Sequence, residues 1–260
     1  MYATDRFEEM MLNLMNGISI APPQNGFYLA LFMSDPGDLG EGYEVEYDGY
    51  HRMPITFSTP AEYGTGLAIE NVEQITFAES PINVGNITHV GIMTDIYAGE
   101  MWLYGALDTV LNIQQGVTPI FRPGSVRWIW SGNLGDYYRR AIMNVFASNS
   151  NCDGFNPYVG LCNGNPEGDG AEFAGYDYHR FRVRMSTPVQ QPNGTAMCQN
   201  LNEIVSNEAT GNWGTLSFVC IYDAYENGNI YAVIPLNASF VVTTQTSVGF
   251  HIGNLRFSIN

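Results

Sequence analysis

The sequence predicts a mainly β protein of two homologous β-sandwich or small-barrel domains in tandem, each preceded by a short α-helix. Three observations carry that expectation. The chain of 260 residues aligns with itself when slid by about half its length. Its composition, 45% hydrophobic and 13% aromatic with 28 Gly and 13 Pro, suits globular β structure broken by many turns. Each half also opens on a stretch with helical spacing and continues in short runs of strand length.

The repeat is written most plainly in GYHRMPITFSTP (49–60) and DYHRFRVRMSTP (177–188). In both, Tyr-His-Arg is followed by five residues and then Ser-Thr-Pro, at an offset of 128. YLALFMSDP (28–36) faces YVGLCNGNP (158–166) at an offset of 130. From Asn71 onward the offset is 129, matching Asn71, Gly85, Leu107, Phe121 and Arg127 to Asn200, Gly214, Leu236, Phe250 and Arg256. The expected domains are residues 1–131 and 132–260, joined near Ser131-Gly132-Asn133-Leu134-Gly135.

Each copy then reads element by element. Residues 6–15 place Phe7, Met11, Leu14 and Met15 on one helical face, and residues 136–146 do the same with Tyr138, Ile142, Val145 and Phe146. Asp5 and Asp136 stand where an N-cap or first-turn acid is expected. Residues 27–32 and 217–222 are apolar runs of strand length, while 125–130, 182–185 and 254–259 alternate as half-exposed strands do. Asp35-Pro36-Gly37, Ala98-Gly99-Glu100 and Asn227-Gly228 are turn signals, the last a hairpin signal. Six or seven strands behind one helix are expected per copy.

Charge and cysteine content narrow the chemistry. The formal net charge is −16, so binding a phosphate backbone would work against the overall field, and no nucleic-acid partner is expected. All ten basic residues are Arg, which removes Schiff-base and Walker-type lysine chemistry. The opening MYATDRFEEMM lacks a basic region followed by an apolar core, and no window approaches about 18 apolar residues. A soluble product made in a cytoplasm is therefore expected, with no membrane insertion. Cys152, Cys162, Cys198 and Cys220 lack paired CxxC spacing and read as buried or free thiols rather than a zinc site.

Three groups of residues are site candidates. Tyr50, His51, Arg52 and their counterparts Tyr178, His179 and Arg180 offer a guanidinium fork and a switchable imidazole, which suits a carboxylate or a sugar. No nucleophile or paired base recurs with them, so packing of the Tyr ring and pairing of the Arg with a local carboxylate is the competing reading, and no catalytic constellation is expected. Asp35, Asp38, Glu41 and Glu44, followed by Glu46 and Asp48, crowd one loop, as Glu167, Asp169, Glu172 and Asp177 crowd its counterpart. They are weak Ca²⁺ candidates without EF-hand spacing, and a solvated acidic loop is the alternative. Trp102, Trp128, Trp130 and Trp213, with Tyr43, Tyr47, Tyr50 and Tyr63, suit either a sugar-stacking platform or strand-based core packing. No cofactor is expected.

The first copy resembles a family of small bacteriophage tail or fibre-like virion proteins. The resemblance rests on YLALFMSDP at 28–36, Gly49-Tyr50-His51-Arg52, Ile75-Thr76-Phe77, Gly85-Asn86-Ile87-Thr88-His89, Tyr104-Gly105-Ala106-Leu107, and the glycines Gly116 and Gly124. It covers nearly all of residues 5–130. The second copy departs from it, with Phe218 in place of His89 and Val233-Ile234 in place of Tyr104-Gly105. The resemblance implies a non-enzymatic virion structural protein of the tail, neck or fibre apparatus, assembled in the host cytoplasm and packed against other virion proteins. From the duplication alone, the expected homo-oligomer is a ring or fibre in a threefold, sixfold or twelvefold context. A carbohydrate-binding adhesion module that contacts a host-surface glycan, and a capsid decoration protein, are the alternatives.

Overall fold

The computed structural model describes residues 1–132 and 134–259; Asn133, in the expected joint, lies outside the described residues. The first copy runs β1 (Tyr2–Ala3), α1 (Asp5–Asn13), β2 (Phe27–Phe32), β3 (Met53–Ile55), β4 (Ala61–Tyr63), β5 (Gly66–Glu70), β6 (Ile75–Thr76), β7 (Gly85–Met93), β8 (Met101–Ile113), β9 (Ile120–Phe121) and β10 (Arg127–Trp130). Its sheets have the orders β1-β8-β7-β2-β3, β10-β5-β4 and β6-β9, with every pair antiparallel.

The second copy runs α2 (Asp136–Ala147), β11 (Tyr158–Cys162), β12 (Phe181–Arg182), β13 (Val189–Gln190), β14 (Ala196–Gln199), β15 (Ile204–Val205), β16 (Gly214–Tyr222), β17 (Ile230–Val242), β18 (Gly249–Phe250) and β19 (Arg256–Ile259). Its sheets, β12-β11-β16-β17, β13-β14-β19 and β15-β18, reproduce the first set except for a strand equivalent to β1. Among the described residues none of these sheets closes on itself, so the protein is mainly β with open antiparallel sheets. Each copy has more strands than the expected six or seven. The additional ones are two- or three-residue ladders such as β6 and β9, too short to show a period of two.

The sequence explains the principal strands. Phe27–Phe32 is buried almost throughout, as a run covered on both faces should be. Arg127–Trp130 and Arg256–Ile259 instead alternate buried and exposed residues. Strands β7 and β8 form a long hairpin, and Gly99 in its turn sits at φ +80°, a region that favours glycine.

The helices begin one residue outside their first acids. Thr4 and Gly135 are the N-cap residues, and Asp5 and Asp136 lie in the first turn. The Thr4 hydroxyl donates to the Met101 carbonyl at 2.8 Å, which ties the helix start to β8. At α2 a distant acid serves the cap, since Glu167 Oε1 accepts the Asp136 N–H at 2.7 Å. After Asn13 the chain tightens into a 3-10 turn, Leu14–Asn16, and ends at Gly17 with φ +78°.

Sequence periodicity says nothing about whether the copies touch; they share one hydrophobic core. Helix α1 packs on β1 and β8 of its own copy and on β14 and β19 of the other. Helix α2 reciprocates, packing on β17 of its own copy and on β5 of the first. Phe146 of α2 enters the aromatic centre of copy one, stacking on Phe27 at 4.4 Å and meeting Phe7, Trp102 and Trp128 edge-on at 5.3–5.8 Å. In the other direction the Tyr231 hydroxyl, fully buried in copy two, donates to the Met11 carbonyl of α1 at 2.6 Å. At Gly154 the two backbones pass close together: a Cβ there would lie 2.3 Å from the Gly17 carbonyl carbon.

The charges at the two reciprocal contacts have opposite sign. Glu8 of α1, buried to 1% exposure, accepts the Ala196 N–H at the start of β14 at 2.9 Å. At the matching place on α2 stands Arg139, 3.6 Å from Asp136, and the next residue, Arg140, is held by Asp136 and pairs with Glu62 of β4. Burial, with lesser repulsion from Asp5, Asp38 and Glu9, raises the Glu8 carboxyl to about 7 against the pull of the Ala196 N–H. The folded chain therefore holds this proton more tightly than the unfolded chain. Its stabilisation is complete below about pH 4.5 and is lost as pH rises through about 7. Relative to Glu8→Gln, the parent protein should lose roughly 3 kcal/mol between those limits. Denaturant titrations of both proteins at several pH values test this, and parallel stability–pH curves would refute it.

Candidate functional site

The Tyr-His-Arg element forms the same construction in both copies. In copy one the chain reverses at Gly49, with φ +89°, and Tyr50 swings back under β2. Its hydroxyl accepts the Leu31 N–H at 3.1 Å and donates to Glu44 Oε1 at 3.1 Å. Arg52 meets the same carboxylate as a fork, Nε to Oε1 at 2.9 Å and Nη2 to Oε2 at 2.7 Å. Its Nη1 donates to the carbonyls of Asp95 and Ala98 in the β7–β8 turn, at 3.0 and 2.5 Å.

Copy two repeats each bond. Tyr178 accepts the Leu161 N–H and donates to Glu172, both at 2.8 Å. Arg180 pairs with Glu172 at 2.8–3.2 Å, and its Nη1 donates to the carbonyls of Ala224 and Asn227 at 2.8 and 2.5 Å. Arg180 also lies over the Tyr222 ring at 3.4 Å, where copy one has Met93. Burial above all, reinforced by the neighbouring carboxylate, raises both Tyr50 and Tyr178 far above the ordinary phenol range, so both hydroxyls stay donors. Burial pulls Arg52 and Arg180 down, but the bonds and charge of Glu44 and Glu172 outweigh it, and both guanidiniums end above their ordinary value.

His51 and His179 do not join these networks. His51 is exposed, with Nδ1 3.2 Å from the Gly49 carbonyl, and His179 lies beside the Phe181 and Tyr225 rings. Sequence reading missed Glu44 and Glu172 as the specific partners. Each stands eight residues before its Arg, and the pair recurs at the offset of 128, a signal present in the sequence.

The acidic-loop candidates are dispersed. Glu44 is committed to Arg52, Asp38 Oδ1 accepts the Tyr104 hydroxyl at 2.5 Å, and Asp35 Oδ1 accepts the Gly37 N–H at 2.9 Å with His89 at 3.7 Å. Glu41 is exposed, and among the described residues no three His, Cys, Asp or Glu side chains gather as metal ligands would. Trp102, Trp128, Trp130 and Trp213 are all buried, as is Tyr47, while Tyr43 and Tyr63 are exposed. Cys162 and Cys220 lie buried with sulfurs 3.4 Å apart, beyond the roughly 2.05 Å of a disulfide, and all four cysteines are free.

A concavity of about 840 Å³ at the junction of the copies is lined by Asp5, Arg6, Asp38, Glu100 and Gln190 among others. Asp5 Oδ1 and Gln190 Oε1 are buried there without a hydrogen-bond partner. A neighbouring pocket of about 350 Å³ holds Asp35, Asp38, His89 and Tyr104, and Phe218 and Val233 remove its imidazole and phenol from copy two. At this pocket the Thr88 hydroxyl lies 2.9 Å from His89 Nδ1, and Asp35 Oδ1 lies 3.7 Å from His89 Nε2.

No helix among the described residues is long and apolar enough to cross a membrane. No curated protein matches this sequence. The family model for the podophage GP4 fiber I protein gp80 matches twice, over residues 2–128 and 133–258. The chain, as two tandem copies covering nearly its whole length, belongs to the podophage GP4 fiber I protein gp80 family.

Proposed function

We propose that this phage fibre-family protein serves the tail, neck or fibre apparatus of the virion by packing against neighbouring subunits, and that it catalyses no reaction. The observation that carries the reading is the double family match, combined with motifs whose polar groups are consumed inside the fold: both Tyr-x-Arg forks spend their donors on Glu44 or Glu172 and on turn carbonyls. On this reading Tyr50, Arg52, Tyr178 and Arg180 are architectural, and residues 1–131 and 132–260 are two units joined through exchanged helices. Duplication then has a geometric use. Three two-unit chains present six similar surfaces and six present twelve, so the homo-oligomer fits a sixfold tail part or a twelvefold neck. Assembly occurs in the host cytoplasm.

A carbohydrate-binding adhesion module is the second reading, favoured by the exposed Tyr43, Tyr97 and Tyr225 on the outer loops. A glycan array with the purified chain, read beside electron micrographs of the same preparation, separates the two. Ordered rings or fibres with a silent array support packing, and strong glycan binding by dispersed monomers would overturn it.

A further inference from the structure

Because the copies fold alike, differences at matched surface positions isolate what one copy does and the other does not. After each Tyr-x-Arg element the chain runs beside β5 or β14, with Phe57 bridged to Asn71 and Met185 bridged to Asn200. Paired residues on antiparallel strands face the same way, and so do residues two apart. Arg182, Arg184, Leu201, Gln199 and Arg256 therefore share one outward face of copy two, with Val183, Met185, Cys198 and Phe257 buried beneath. The matched face of copy one carries Pro54, Thr56, Val72, Glu70 and Arg127.

In copy one the single guanidinium is neutralised: Arg127 lies 2.6 Å from Glu70 and over the Tyr63 ring at 4.9 Å. In copy two Gln199 stands in place of Glu70, which removes a negative charge, and Arg182 in place of Pro54 and Arg184 in place of Thr56, which add two positive ones to the same face. Arg182, Arg184 and Arg256 are exposed, and among the described residues none of them forms an ion pair. Exposed Leu201 and Ile252 flank them.

The opposite exchange occurs on the acidic loop. In Val45-Glu46-Tyr47-Asp48 the apolar residues are buried and the acids exposed, and neither carboxylate has a hydrogen bond or ion pair among the described residues. Their counterparts in copy two are Ala174 and Tyr176. One copy thus presents unpaired guanidiniums and the other unpaired carboxylates, within a chain whose net charge of −16 otherwise favours mutual repulsion.

We infer that the Arg182–Arg184–Arg256 face of copy two docks on the Glu46–Asp48 loop of copy one in a second molecule of this chain. The contact joins unlike surfaces, so repetition closes a ring or extends a filament. The inference rests on the packing role proposed above. A second copy is the favoured partner because the same chain supplies one acidic loop for every basic face, and because Leu201 and Ile252 add an apolar flank that suits a protein surface.

Sedimentation velocity of the full chain tests it with two variants: Arg182→Glu/Arg184→Glu, acidic at both surfaces, and Glu46→Arg/Asp48→Arg, basic at both. Each alone should associate at least about tenfold more weakly than the parent at low ionic strength. A one-to-one mixture should associate again, because every contact is then complementary. All four residues are exposed, so thermal melting should match the parent. If a variant melts early, the milder Arg184→Gln and Asp48→Asn changes replace the reversals. Parent-like association of either variant, failure of the mixture to associate, or a parent that stays monomeric would overturn the inference. So would binding of heparin, used as an anionic-glycan probe, that is lost in the arginine variant while self-association is unchanged. A parent that still assembles through another contact leaves the packing role intact, whereas absence of the chain from virions would remove that role.

Discussion

Phe146→Ala is expected to lower the unfolding free energy by about 3–5 kcal/mol, the range for emptying a large aromatic site in a packed core. The ring belongs to the helix of copy two but is surrounded by Phe7, Phe27, Trp102 and Trp128 of copy one. Those neighbours sit on strands and on α1, each fixed by its own pairing, so the site has little freedom to collapse and the cavity should remain. The loss also removes stacked and edge-on aromatic pairs, worth about 0.5–1.5 kcal/mol each beyond burial. Because the ring couples the copies, the variant should expose both together, with fluorescence from Trp102, Trp128 and Trp130 of copy one and Trp213 of copy two, and far-UV dichroism, moving through one transition. A cost below about 1 kcal/mol, or separate transitions for the two halves in the parent protein, would contradict the shared core.

Arg180→Ala should be nearly as costly, roughly 3–5 kcal/mol, because it strands Glu172 in a site where only a fifth of that side chain is exposed. The guanidinium also satisfies the Ala224 and Asn227 carbonyls and covers Tyr222, so truncation leaves several groups unpaired at once. Arg180→Lys should recover little, since a single ammonium cannot reproduce a fork on the carboxylate and reach the turn as well. Arg52→Ala should behave alike through Glu44, Asp95 and Ala98. Denaturant unfolding of Arg180→Ala, Glu172→Ala and the double variant gives the coupling. Non-additivity above about 1 kcal/mol is expected of a pair in direct contact. A loss under 0.5 kcal/mol accompanied by altered ligand binding would reopen the reading of Tyr178, His179 and Arg180 as a binding site.

Much of the fold is legible in the sequence because duplication writes each signal twice. Phe27–Phe32, the alternation of Arg127–Trp130 and the face of Phe7, Met11, Leu14 and Met15 all identify their elements directly. The two- and three-residue strands are not legible, since their pairing is imposed by neighbours and not by local pattern. The exchange of helices is hidden for a related reason: Phe146 reads as a core residue of its own helix, and nothing in a periodicity says which sheet will bury it. Glu44 and Glu172 were visible only as members of acidic loops, although their constant distance from Arg52 and Arg180 marks them as partners. The tryptophans show the reverse case, four prominent aromatics whose strand positions put them in the core and leave the exposed outer-loop rings to tyrosines.

Electron microscopy of virions carrying a labelled copy tests the proposed packing of this fibre-family chain in the virion. Label is expected in rotational order on the tail, neck or fibre apparatus. Particles without the label, or label scattered over the capsid without symmetry, would contradict it.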